Sequence, residues 1–371
     1  MHKQLIIFLL VLATSLTESK GQNLQSCLDS VITTGEAKDL NIITARLISN
    51  QPQKDFYLIG ESHTYLANND FQFALIMALH PGGVYNILSE QPHAVCFLFN
   101  EFLETGNDSL LQKIKPYATY NLLKKIRQFN LLQHAEKRVR YYGVDYLDTD
   151  FDFDNYLLSL KIIHSKRKGK EMPIDNIIAQ LLLKQELTKK EITLTDNAIH
   201  TRLLSDSSNY KLHYGKYYYD LLLLSDNMIG RSPNRDTKIF SKFLVLYKFL
   251  LEIQKTKPKF LSFYGIGHLF NFGNLLNLDN ASPVKQSVFR IAIQYIHCIG
   301  GWQEGFYRDD GLYDIERKSL RNFIVYCKAQ QWKIGFMSDK KCLNLQKSKQ
   351  PDVIAIFNDY GNRKMASWKF D

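Results

Sequence analysis

Short, nearly uninterrupted apolar runs alternate along this chain with longer stretches in which apolar residues recur every three or four positions. The first kind reads as a strand buried on both faces, the second as a helix with one face in a core. Phe56 to Ile59 is the first such strand. Asp70 to Leu79 is apolar at helical spacing, and Pro81-Gly82-Gly83 ends it. Val84 to Leu88 is the next strand, and Pro92 to Thr105 the next helix, closed by Gly106-Asn107. Helical material around Ser109 to Glu136 leads into a third strand, Val139 to Val144, and the run from Phe260 to Tyr264 is a fourth. Strand and helix in alternation predict right-handed crossovers and an α/β fold, a mainly parallel sheet flanked by helices. Further strands are expected at Arg290 to Ile296, Trp332 to Met337 and Val353 to Phe357.

Two stretches depart from that rhythm. Leu24 to Asn50 reads as helical, an amino-terminal cover. Residues 146–257 contain no convincing strand but several amphipathic segments, Asn176 to Glu186, Lys216 to Leu224 and Lys238 to Ile253 among them, and predict a helical insertion capping the sheet. The aromatic stretch Tyr214 to Tyr219 is expected to pack that cap, with a substrate-stacking surface as the alternative. No solenoid period or long low-complexity segment is present, so residues 22–371 are expected to form one elaborated α/β domain.

Composition changes this picture mainly at the start of the chain. With 371 residues, 45% hydrophobic and 23% charged, the sequence is that of an ordinary globular protein, which argues against long disorder. Residues 1–21 differ. A positive start at Lys3, an apolar run from Leu5 to Ala13 and a small or polar stretch to Gly21 form a secretory signal, expected to be cleaved near Gly21-Gln22. The run is shorter than the roughly 20 residues of a membrane span, so no transmembrane span is expected in the mature chain. A lipoprotein box at Leu24-Gln25-Ser26-Cys27 is disfavoured by the intervening Glu18 and Lys20. Export, periplasmic or extracellular, permits disulfides. The five cysteines, Cys27, Cys96, Cys298, Cys327 and Cys342, show no C-x-x-C spacing. Cys96 reads as a small buried hydrophobe, and Cys327 with Cys342 is the bridge expected first. The net charge of +10 favours anionic surfaces, yet the basic knot His164 to Lys170 reads as a solvated loop and no nucleic-acid motif accompanies it. A small-molecule or peptide substrate is therefore expected rather than a nucleic acid.

Chemistry concentrates at the ends of the expected strands. Two stretches nearly two hundred residues apart share an apolar run followed by Gly-x-x-His, ending in Gly60-Glu61-Ser62-His63 and in Gly265-Ile266-Gly267-His268. Glu90 follows the second strand and Asp145 the third. Each has an ordinary explanation alone, as a helix cap or a satisfied histidine, but parallel strands deliver their carboxyl ends to one face. Three carboxylates converging there cannot all stay ionised unaided. A divalent metal held by Glu61, His63, Glu90 and His268, a retained proton, or a cation would offset them, and Arg235 is the nearest candidate cation. A metal-free site in which one His takes a proton from water is equally consistent. No Gly-x-Ser-x-Gly elbow is present, and Ser62 lacks that context.

These residues resemble the erythromycin-esterase-like, ChaN-like and Tiki-type superfamily, with two widely separated Gly-x-x-His motifs on an α/β core. Gly60-Glu61-Ser62-His63 looks like its opening motif, Ser89-Glu90 its second-strand glutamate, Tyr142-Gly143-Val144-Asp145 its Tyr-Gly-x-Asp strand, Arg235-Asp236 its helix-opening pair, and Gly265 to His268 its second histidine motif. The similarity spans about residues 56 to 275. Thr64 stands where the esterases usually have Gly, and Thr237-Lys238-Ile239-Phe240 lacks their Met and Asn positions. The resemblance implies a hydrolase with His63 as general base, His268 as electrostatic stabiliser or second base, Glu61 and Glu90 as orienting or metal-binding groups, and Asp145 and Arg235 as supports behind them. Its ChaN-like branch implies the alternative of haem or another apolar ligand bound without catalysis, with His80 or Tyr65 as the haem ligand.

Overall fold

The computed structural model describes residues 25–63, 65–112, 118–184, 188–226, 228–229, 233–299, 307–310, 317–339, 341–343 and 350–360. The expected signal, Thr64, Glu186, Arg231 and Ser232 lie outside the described residues. The strands in chain order are β1 (Ile32–Gly35), β2 (Phe56–Glu61), β3 (Asn86–Ser89), β4 (Arg140–Gly143), β5 (Tyr146–Leu147), β6 (Met228–Ile229), β7 (Phe260–Gly265), β8 (Val288–Ile299), β9 (Tyr307–Asp310), β10 (Ile334–Met337) and β11 (Val353–Asn358). All the strands expected from apolar runs are present, within two or three residues at their ends. The fold is α/β, with a largely parallel arrangement and flanking helices. Two compact units are distinguished. One is drawn from the described residues up to Gln51, Glu61–Ala74 and those from Arg290 on, the other from Pro52–Gly60 and Leu75–Phe289.

In the second unit the strand order is β2-β7-β3-β4, with β3 parallel to both β7 and β4. Phe56 to Ile59 and Phe260 to Phe263 are buried throughout, as strands covered on both faces require. Phe56 of β2 and Phe260 of β7 stack at 5.7 Å, and Phe243 and Phe272 meet Phe56 edge-on at 5.4 and 6.3 Å. Phe243 belongs to the helix Arg235–Gln254 and Phe272 to the helix His268–Leu278. Burying each ring contributes about 1.5–3 kcal/mol, and the same cluster fixes the two helices whose first residues are Arg235 and His268. The helix His93–Thr105 begins after Pro92, which has an extended backbone, and ends at Gly106, whose φ of 73° is the left-handed cap that glycine adopts without strain. Its Asn100 side chain accepts from Tyr141 N and donates to Tyr141 O, both at 2.8 Å, and so satisfies backbone groups on the outermost strand.

The insertion at residues 146–257 is helical, with helices Asp150–Ser165, Pro173–Leu182, Lys189–Ser205, Ser207–Tyr214, Tyr218–Leu224 and Arg235–Gln254. The two-residue pair β5 and β6 is the strand content that periodicity missed. Tyr214 and Tyr218 are buried and Tyr214 donates to Asp175 Oδ1 at 2.7 Å, so the aromatic stretch packs the helices. Lys166 to Lys170 are exposed, as a solvated loop should be.

In the first unit the order is β1-β10-β11-β8, with β9 antiparallel on β8. Here the amino-terminal reading needs correction: Ile32–Gly35, expected to be helical, pairs antiparallel with Ile334–Met337. The bridge also differs. Cys27 joins Cys342, while Cys327 is a buried free thiol. Cys27 lies in the helix at 25–31, which precedes β1, and the β1–β10 pairing brings the two ends of the described chain together. Cys96 is fully buried, as expected.

Candidate functional site

β3, β4 and β7 run parallel, so their carboxyl ends share one edge, and the residues that follow carry the polar cluster of the second unit. Glu90 is the residue after β3, Asp145 lies two past β4, and His268 opens a helix three residues past β7. Two glycines make the crossing segments fit. A Cβ on Gly143 would lie 2.6 Å from the Pro92 carbonyl carbon, so only glycine lets the chain after β3 pass over β4. A Cβ on Gly60 would sit 3.0 Å from Leu269 Cβ, which ties the first motif's glycine to the helix opened by the second motif.

Arg235 is the centre of this cluster. Its Nε donates to Asp145 Oδ1 at 3.1 Å and its Nη2 to Asp145 Oδ2, a two-pronged pairing, while Nη2 also reaches Glu90 Oε1 at 2.8 Å. Asp145 Oδ1 further accepts Tyr146 N at 2.9 Å, and Glu90 Oε2 accepts Gly265 N at 2.5 Å. The side chains of Asp145 and Glu90 are only 7% and 11% exposed, so a counter-charge is physically required, and Arg235 supplies it.

His268 completes the arrangement. Its Nδ1 faces Asp236 Oδ1, and its Nε2 lies 3.0 Å from Arg235 Nη1 and 3.3 Å from Glu90 Oε1. Those two neighbours ask for opposite states of Nε2, an acceptor for the arginine and a donor for the glutamate. Burial alone would lower the imidazole pKa, but hydrogen bonds and charge from Asp236 and Glu90 push it up to about 9. The raised pKa favours the protonated ring, with its two N–H groups towards Asp236 and Glu90 and Arg235 Nη1 beside them. Two cations and three carboxylates form one network. Of the three offsets open from sequence, the cation is in place as Arg235.

A divalent metal does not fit here. The Glu90 oxygens are committed to Arg235 and Gly265, and both His268 nitrogens to carboxylates. Among the described residues no group of three or more His, Cys, Asp and Glu side chains is arranged to hold a metal ion. Asp236, not singled out as a site residue in the sequence, is the group that orients and charges His268. Its signal was its place directly after Arg235, which also suits an ordinary acidic residue in a first helical turn.

In the first unit His63 Nδ1 lies 3.0 Å from Glu61 Oε1, with the His63 side chain 51% exposed. The tautomer that donates Nδ1–H to Glu61 leaves its lone pair on Nε2. Ser62 contributes its carbonyl oxygen to Asn68 Nδ2 at 2.8 Å. Neither residue expected as a surface haem ligand is at the surface. His80 is 8% exposed and donates from Nε2 to Lys137 O at 2.7 Å, and Tyr65 is 1% exposed and stacked on Tyr295 at 3.9 Å.

No protein-family model matches this chain, and no curated protein sequence matches it. Solved structures do. A Bacillus cereus protein aligns over 91% of this chain and 97% of its own with a TM-score of 0.59 and 14% identity. A succinoglycan biosynthesis protein aligns over 91% and 96%, with a TM-score of 0.53 and 12% identity. A mutant of the erythromycin esterase EreC in its open conformation aligns over 88% and 97%, with a TM-score of 0.51 and 12% identity. At these identities the likeness is one of fold.

Proposed function

We propose that this chain, which has the erythromycin esterase-like α/β fold, is an exported hydrolase that directs a histidine-activated water at an ester or amide carbonyl. The observation that carries the reading is the placement of Arg235 beside His268, each held by carboxylates near the carboxyl ends of parallel strands. Positive charge held in place before reaction stabilises an oxyanion without reorganisation cost, commonly the largest single contribution to acyl-transfer catalysis. His63 is the proposed base. Its Nε2 takes a proton from water as the water oxygen bonds to the carbonyl carbon, and the carbonyl oxygen takes up the negative charge. On collapse the bond to the leaving alcohol or amine breaks, and the His63 imidazolium returns the proton to it. Glu61 holds the His63 tautomer, Glu90 and Asp236 keep His268 charged, and Asp145 aims Arg235.

Export is part of the proposal, supported by the apolar leader in the sequence and by the Cys27–Cys342 disulfide, a linkage that persists in oxidising compartments. That bridge also uses the thiol a lipoprotein would need. A panel of esters, lactones and amides assayed with the wild type and His63→Ala tests the chemistry. The expected loss for H63A is about 100-fold or more in kcat. Hydrolysis that survives H63A intact would remove His63 from the mechanism, and a wild type inert across the panel would remove the hydrolase reading.

A further inference from the structure

Beside the Arg235 cluster, within the same unit, runs an open groove of about 630 Å³, bounded by Pro233 to Thr237 on one side and by one face of the helix His268–Leu278 on the other. That volume is in the range of small-molecule sites. The helix contributes Asn271, Asn274, Leu275 and Leu278, spaced by three or four residues from His268 onward and therefore aligned along one face. Asp279 follows at the far end, about 16 Å along the axis from His268 at 1.5 Å per residue. The groove thus has a graded lining: a charged end at Arg235 and Asp236, two side-chain amides, a leucine pair and a terminal carboxylate.

The charges in this lining are not equivalent. Arg235 is engaged by Asp145 and Glu90, and Asp236 by His268. Asp279 Oδ1 accepts Ala281 N at 2.8 Å, and Asp279 has no ion-pair partner among the described residues. In a chain of net charge +10, this groove is a place where the charge left uncompensated is negative. Leu278 beside it is 63% exposed, apolar surface that a bound molecule would cover.

We infer that this groove binds the substrate of the proposed hydrolase, and that it selects an elongated molecule with an ammonium group about 16 Å from the scissile carbonyl. The inference rests on the hydrolase reading for the position of the carbonyl at Arg235 and His268. Asn271, able to donate and accept, takes a hydroxyl or amide group along the molecule's length. The leucines take its apolar side, and Asp279 takes the cation.

The test uses p-nitrophenyl esters whose acyl chains end in trimethylammonium, in the neutral tert-butyl isostere, or in carboxylate, at reaches of about 8, 12 and 16 Å. Non-hydrolysable ketone analogues of the same series are titrated calorimetrically beside them. For the wild type, kcat/KM is expected to favour the longest ammonium ester over its neutral isostere by about tenfold, through KM. Asp279→Asn keeps an oxygen for the Ala281 N–H and is expected to bring the two esters within about twofold, and Asp279→Lys to turn the preference towards carboxylate. Equal binding of all three end groups to the wild type, or a preference unchanged in D279N, would overturn the groove assignment. Selective binding of the ammonium ketone without turnover of any ester would uphold the groove and overturn the hydrolase.

Discussion

His268 gives a stability prediction whose sign and window both follow from its surroundings. Its pKa is pushed from the ordinary 6.5 up to about 9 in the folded protein. A group whose folded pKa is raised stabilises the fold fully below its unfolded pKa, and that stabilisation is lost as pH climbs through the folded value. Between pH 6.5 and 9 the native state holds one proton more than the unfolded chain at this site. Unfolding free energy should therefore fall by about 1.4 kcal/mol per pH unit, to a total of at most about 3.5 kcal/mol. Urea denaturation of wild type and His268→Gln at pH 6, 7.5, 9 and 10 isolates this contribution, because the other titrations cancel in the difference. The gap should be widest at pH 6 and shrink steadily to pH 10. Asp236→Asn should shift the loss to lower pH. Direct titration of the His268 ring by NMR keeps the test independent of how well the variants fold. A midpoint near 6.5, or a stability gap flat across the range, would refute the assignment of imidazolium to this ring.

Arg235→Met leaves Glu90 and Asp145 without their cation and should cost about 3 kcal/mol by chemical denaturation, whereas Arg235→Lys, which keeps the charge but not the two-pronged geometry, should cost roughly half as much. Gly143→Ala forces a methyl group against the Pro92 backbone and should destabilise by more than Gly60→Ala, whose neighbour is a leucine side chain that can yield. About 3 against about 1 kcal/mol is expected, read as shifts in the urea midpoint. Cys27→Ser should lower the unfolding midpoint and abolish its sensitivity to reductant, with a loss of about 2–5 kcal/mol, while Cys327→Ser should leave the reductant sensitivity intact.

The strands that were legible in the sequence are those whose own residues determine them. Phe56 to Ile59 and Val353 to Phe357 are apolar enough that little but a buried strand can accommodate them. Ile32-Thr33-Thr34-Gly35 is different: only Ile32 of the four is buried, and its conformation is set by pairing with Ile334–Met337, some three hundred residues away. The same distant pairing explains the bridge, since Cys27 against Cys342 rather than Cys327 is a choice that spacing cannot make. Within the site, Glu90, Asp145 and His268 were visible as strand-end residues, and Arg235 as the nearest cation. The raised pKa of His268 was not visible, because it depends on Asp236 and Glu90 meeting opposite sides of one ring.

The disulfide between Cys27 and Cys342 makes the chain a ring across a sequence separation of 315. Most of the polypeptide, Pro52 to Phe289 and beyond, lies on its circumference. An enzyme that oxidises thiols in the order in which they emerge would meet Cys27 and then Cys96, and would join a pair that is not the native bridge. Cys96, Cys298 and Cys327 end buried. Burial pushes the Cys96 and Cys327 thiols up, away from the reactive thiolate, so the finished protein is protected from exchange at these positions. If the chain is exported as proposed, its maturation calls for disulfide isomerase activity as well as an oxidant, and a host lacking the isomerase should accumulate chains locked in the wrong ring.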